Sequence, residues 1–123
     1  MTTSASRRRI LLAEDETIVA MMVEEMLAEL GYDVAETVAQ IDTARRAAEK
    51  GAFDMAILDV NLSGQPIYPI AEILQSRRIP FIFATGYDSE GLEPRYAGTP
   101  RLQKPFEYEG LQAVMSRIFP AQR

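Results

Sequence analysis

Apolar positions along the chain fall into two kinds of pattern that alternate. Continuous short runs at Ile10 to Ala13, Met55 to Leu58 and Phe81 to Ala84, with a weaker one at Tyr32 to Ala35, have the length and the lack of polar interruption expected of strands buried on both faces. Between them lie stretches with helical spacing. From Glu16 to Leu30 the apolar residues Ile18, Met22, Met26 and Leu30 recur every fourth position with Val19, Val23 and Leu27 beside them, and Gly31 provides a stop. This predicts one amphipathic helix with its methionines packed in the core and Met21 as the exposed exception. Three more helices are predicted: Ile41 to Lys50 before Gly51, Pro66 to Arg77 with proline in its first turn, and Glu107 to Phe119 before Pro120. A short fifth strand is expected at Arg101 to Gln103.

Strands and helices in strict alternation imply a parallel sheet with helices on both faces, joined by right-handed crossovers. The expected fold class is a doubly wound α/β domain with five parallel strands in the order 2-1-3-4-5. The stretch from Asp88 to Arg101 carries Gly91, Pro94, Gly98 and Pro100, so the helix that should join the fourth and fifth strands is expected to be short or irregular. A chain of 123 residues fits one domain, with a core from 7 to 120 and no output domain attached.

Composition narrows the chemistry. The chain has no cysteine and no histidine, so thiol catalysis, disulfides and the usual zinc ligands are excluded, and chemistry must run on carboxylates, hydroxyls and lysine. A formal net charge of -5, with positive residues scattered apart from Arg7 to Arg9, argues against nucleic acid as a direct partner. No apolar run is long enough to span a bilayer and no signal-peptide core follows the N-terminus, which makes the cytoplasm the expected location.

Ligands of doubly wound sheets bind beyond the carboxyl ends of the strands. Polar residues sit there in a set: Glu14 and Asp15 after the first strand, Asp59 after the third, Thr85 after the fourth, and Lys104 before Pro105 after the fifth. Three converging carboxylates repel one another unless a cation neutralises them, and Mg2+ suits an all-oxygen donor set completed by phosphate. A carboxylate nucleophile at Asp59 could then take a phosphoryl group, with Lys104 and the Thr85 hydroxyl on its oxygens. Taken singly, Asp15 reads better as a helix cap, Asp59 as a loop cap, Thr85-Gly86 as a turn and Lys104 as a surface charge. Their arrival together at successive strand ends favours a site.

The strings Leu11-Leu12-Ala13-Glu14-Asp15-Glu16, Ile57-Leu58-Asp59-Val60-Asn61, Phe83-Ala84-Thr85-Gly86-Tyr87 and Gln103-Lys104-Pro105-Phe106 resemble the receiver domains of two-component response regulators, over essentially the whole chain. The Phe-Ala-Thr-Gly run resembles a stand-alone, single-domain subgroup. The resemblance implies that Asp59 is the phosphoacceptor, Asp15 a direct Mg2+ ligand and Glu14 a ligand through water. It further implies that Asn61 offers a backbone carbonyl to the metal, that Thr85 is the switch hydroxyl and Lys104 the phosphate-binding lysine, with a cis bond before Pro105. The implied partners are a histidine kinase or phosphotransfer protein and a downstream protein target, with weak or phosphorylation-dependent dimerisation left open. Self-catalysed phosphoryl transfer and slow dephosphorylation are implied, without turnover of a separate substrate.

Two departures from the family stand out. Arg101 occupies the position where many receivers carry an aromatic switch residue, which moves the expected signalling role to Tyr87, after the threonine. The Leu62-Ser63-Gly64-Gln65-Pro66 loop replaces the family's usual Met-Pro after the phosphoacceptor. Leu92, Tyr96 and Tyr108 join Tyr87 as candidates for an aromatic partner surface. A haloacid-dehalogenase-type phosphatase would want an acid two residues after the nucleophile, where Asn61 stands. A flavin binder would want a phosphate-cradling loop where Glu14-Asp15-Glu16 stands, and a receiver fragment of a hybrid histidine kinase is a further alternative.

Overall fold

A computed structural model of the chain describes residues 7–86 and 92–120. Its elements are β1 (Arg9–Ala13), α1 (Thr17–Glu29), β2 (Asp33–Val38), α2 (Ile41–Lys50), β3 (Met55–Asp59), a hairpin of β4 (Asn61–Leu62) and β5 (Gln65–Pro66), α3 (Tyr68–Ser76), β6 (Phe81–Thr85), a 3-10 turn at Pro94–Tyr96, β7 (Arg101–Gln103) and α4 (Tyr108–Ile118). The main sheet is wholly parallel in the order β2-β1-β3-β6-β7, which in strand count is the expected 2-1-3-4-5.

Alternation along the buried strands divides the core in two. Leu11, Ala13, Ala56, Leu58, Phe81 and Phe83 face α2 and α3, whereas Ile10, Leu12, Met55, Ile57, Ile82 and Ala84 face α1 and α4. Both faces of each central strand are therefore covered, which is why these runs contain no polar residue. The expected helices appear, with small shifts at their ends. Gly31, at φ +98°, closes α1: the Tyr32 amide donates to Leu27 O at 2.9 Å and the Gly31 amide to Ala28 O at 3.1 Å, the pairing of a Schellman cap. Between β6 and β7 the described residues 92–100 contain only the 3-10 turn, in line with the expected irregularity.

Three expectations are corrected. The buried stripe of α1 is Ala20, Val23 and Leu27, with Val19 and Met26 partly covered, whereas Ile18 is 74% and Met22 40% exposed alongside the expected Met21. A four-residue repeat drifts around a helix of 3.6 residues per turn, so the Ile18–Met22 end of the stripe rotates out of the core. The third helix begins at Tyr68 rather than Pro66, because Ser63 and Gly64 adopt positive φ and fold the preceding residues into the hairpin, where Pro66 pairs with Asn61. Tyr96 is a core residue and not part of a partner surface. It is 1% exposed, stacked on Tyr68 at 5.5 Å between ring centroids and edge-on to Phe81 and Phe83.

Candidate functional site

The register of the sheet brings the polar strand ends together. Ala13 is level with Leu58, Asp59 with Ala84, and Thr85 with Gln103, so the residues that follow each strand converge at one edge. Glu14 continues β1 with its amide on Val38 O at 2.9 Å, and the Lys104 amide donates to Thr85 O at 2.8 Å, which fixes the lysine beside the threonine. Glu14, Asp59 and Thr85 are the buried polar residues among those described, at 3%, 7% and 5% exposure.

Glu14, Asp15 and Asp59 each present a carboxylate oxygen within 4.8 Å of the others. Lys104 Nζ donates into the cluster, 2.9 Å from Asp59 Oδ2 and 3.0 Å from Glu14 Oε1. Backbone amides supply the rest: Asn61 N–H to Asp59 Oδ1 at 3.3 Å, Glu16 N–H to Glu14 Oε2 at 3.0 Å, and Ser63 N–H to Asp15 Oδ2 at 2.8 Å. Burial raises the Asp59 carboxyl above its ordinary range against the pull of Lys104 and the Asn61 amide. Glu14 is raised for the same reason, against the Glu16 amide and Lys104. Burial pulls the Lys104 ammonium down, but its hydrogen bonds to Asp59 and Glu14 outweigh that and leave it raised.

Two buried acids and one half-exposed acid against a single lysine leave negative charge in excess, and the donors are all hard oxygens. That set fits magnesium and excludes metals that need thiolate or imidazole. The hairpin adds a further oxygen. Leu62 and Gln65 flank the two-residue loop, and the Ile67 amide donates to Val60 O at 2.9 Å, so the intervening Asn61–Pro66 pair is a non-hydrogen-bonded one. The N–H and C=O of Asn61 therefore both point away from the hairpin partner, toward the side on which its amide meets Asp59.

Of the sequence-derived site residues, Glu14, Asp15, Asp59, Asn61, Thr85 and Lys104 are brought to one edge, and the Lys104–Pro105 peptide is cis. Pro105 is exposed. Arg101 stands apart from the cluster, exposed on β7, with Nη2 reaching Ala97 O at 3.4 Å. Tyr87 lies outside the described residues. Ser63 was not foreseen as part of the site, although Ser-Gly between Leu62 and Gln65 is a two-residue hairpin signal that could have placed its amide.

Residues 10–115 match the family model described as the response regulator receiver domain. Among curated proteins the chain is similar to the transcriptional regulatory protein PdtaR of Mycobacterium tuberculosis, at 33% identity over 112 residues, covering 88% of this chain and 55% of that protein. The chain thus spans about half the length of the curated relatives it matches. Among solved structures it is similar to SdrG from Sphingomonas melonis Fr1, with a TM-score of 0.81 and 40% identity, covering 89% of this chain and 94% of that one. It is also similar to the receiver domain of the sensor histidine kinase PA1611 from Pseudomonas aeruginosa PAO1, determined with a magnesium ion coordinated in its active-site cleft. That match has a TM-score of 0.78 and 31% identity, covering 91% and 97% of the two chains.

Proposed function

The chain belongs to the response regulator receiver domain family, and we propose that it acts as a single-domain, cytoplasmic response regulator phosphorylated on Asp59 by a histidine kinase or phosphotransfer protein. The observation that carries this reading is the contact of Lys104 with Asp59 and Glu14, inside a cluster of three carboxylates at the strand ends.

An Asp59 oxygen attacks the phosphorus of a phosphohistidine donor. The O–P bond forms as the P–N bond breaks, with its electron pair left on the imidazole nitrogen. Magnesium, held by Asp15, Asp59, the Asn61 carbonyl and Glu14 through water, would supply positive charge to the phosphoryl oxygens. Lys104 is already 2.9 Å from the acceptor carboxylate, so it can pass to a phosphoryl oxygen with little movement. Thr85, at the end of the neighbouring strand, can donate its hydroxyl to another. Lys104 N–H on Thr85 O couples the two loops, so a shift of either is felt by the other.

Signalling then proceeds by protein contact, with Tyr87 as the candidate signalling residue and the segment from 92 to 100, β7 and α4 as the output face. The exposed Arg101 cannot swing an aromatic ring into the core. Ile18, Met21 and Met22 expose apolar surface on α1, and Met22 lines a groove of about 260 Å³ beside the site with Val19, Lys104, Pro105 and Phe106. Such a rim suits contact with a protein partner. Intact-mass measurement after incubation with acetyl phosphate tests the reading. A metal-dependent phosphoryl adduct on the native chain and none on Asp59→Asn is expected, whereas an adduct that persists on Asp59→Asn refutes the assignment.

A further inference from the structure

The tip of the β4–β5 hairpin does more than reverse the chain. Ser63 and Gly64 have φ of 50° and 84°, consecutive left-handed residues in the pattern of a type I′ loop. In this conformation the Ser63 amide meets Asp15 Oδ2 at 2.8 Å, and its hydroxyl donates to Ala39 O at 2.7 Å. Neither bond belongs to the hairpin itself. Together they tie the loop after β3 to the loops after β1 and β2.

The three acids differ in how they are held. Glu14 and Asp59 each accept from Lys104 and from a backbone amide, whereas among the described residues the Asp15 carboxylate accepts a hydrogen bond from Ser63 N–H alone. Without that bond Asp15 would be free to rotate away from the cluster. The same hairpin aims the Asn61 carbonyl outward, so one turn sets two of the proposed oxygen donors.

We infer that Ser63 is a positioning residue for the metal: its amide, presented by a left-handed backbone, orients the Asp15 carboxylate and leaves the second oxygen of that group for magnesium. The inference rests on the reading of the acid cluster as a magnesium site. Hydrogen bonds that orient a metal ligand are worth about 10–100-fold in metal affinity.

Magnesium titrations of the full chain, followed by backbone amide shifts, test this with two variants. Asparagine tolerates positive φ, so Ser63→Asn keeps the amide in place while losing the serine hydroxyl; valine resists that conformation, so Ser63→Val withdraws the amide. Ser63→Asn should bind magnesium within about threefold of the native chain and Ser63→Val about tenfold more weakly. In acetyl phosphate reactions the Ser63→Val defect should lie in the magnesium concentration needed for half the maximal rate and vanish at saturation. Equal affinity of Ser63→Val and the native chain overturns the inference, as does equal weakening by both variants, which would implicate the hydroxyl. If Ser63→Val does not fold, Asp15→Ala decides instead: the Ser63 amide resonance must move relative to the native chain as its acceptor is removed, and an unmoved resonance overturns the inference. A native chain that binds no magnesium overturns the metal reading itself, a result distinct from all of these.

Discussion

Lys104→Met removes the ammonium and keeps most of the side-chain volume, leaving Glu14 and Asp59 buried beside each other with no counter-ion. Each charge-assisted hydrogen bond is worth about 1.5–3 kcal/mol, and deleting one partner of a buried pair costs about 3–5 kcal/mol. The lysine side chain retains 20% exposure, against 1% for Glu14 and 10% for Asp59, which places the loss toward the lower end, about 3 kcal/mol. In urea, with a slope of about 2 kcal/mol per molar, the midpoint should fall by about 1.5 M in EDTA. A bound cation takes over the neutralisation, so with saturating magnesium the loss should shrink to about 1–2 kcal/mol. By linkage the variant must then bind magnesium about tenfold more tightly than the native chain, since 1.4 kcal/mol is a factor of ten. Equal losses with and without magnesium, or weaker magnesium binding by the variant, would refute the placement of Lys104 as counter-ion to the metal-binding acids. The same variant should accept phosphate yet fail to show the amide shift changes of the phosphorylated state.

The acid pair sets a pH dependence. Glu14 and Asp59 are raised by burial, so just above the ordinary carboxylate range the folded chain holds protons that the unfolded chain has released. Their contribution is complete below the unfolded values and is lost as pH rises through the folded ones. Thermal melts in EDTA should therefore fall with pH over that interval, and Asp59→Asn should flatten the slope. The Lys104 contribution runs on a different scale, being retained at neutral pH and lost only above its ordinary value of 10.5. Gly51→Ala should destabilise by about 1–3 kcal/mol, because its added Cβ would lie 2.6 Å from Ala47 O and overpack the end of α2. Gly98→Ala, where nothing lies within 4 Å, should be neutral or stabilising by up to about 1 kcal/mol. Denaturation midpoints of the two variants check the contrast. Tyr96→Ala should cost about 3–5 kcal/mol by emptying the centre of the aromatic cluster, which a partner-surface residue would not do.

What the sequence determined by itself is what depends on local rules. Unbroken apolar runs could only be strands covered on both faces, Gly31 could only end a helix, and polar residues placed directly after such runs had to reach the carboxyl edge of the sheet. Hence Glu14, Asp59, Thr85 and Lys104 are legible in the sequence, and the order 2-1-3-4-5 is the one that brings the ends of the first, third, fourth and fifth strands together. Tertiary structure decided what depends on neighbours distant along the chain. The face of α1 that turns inward is set by where the sheet and α4 lie, so Ile18 and Met22 fit a helical period equally well and yet stand in solvent. Tyr96 looks like a surface aromatic because its segment is rich in proline and glycine, but Tyr68 of α3 and Phe81 and Phe83 of β6 make a slot for it from two other elements. Ser63 reaches Asp15 across 48 positions of sequence through a backbone amide, a group every residue but proline carries. The Ser63-Gly64 pair announces the turn that presents this amide, but which loop the fold places opposite it is decided only by the tertiary structure.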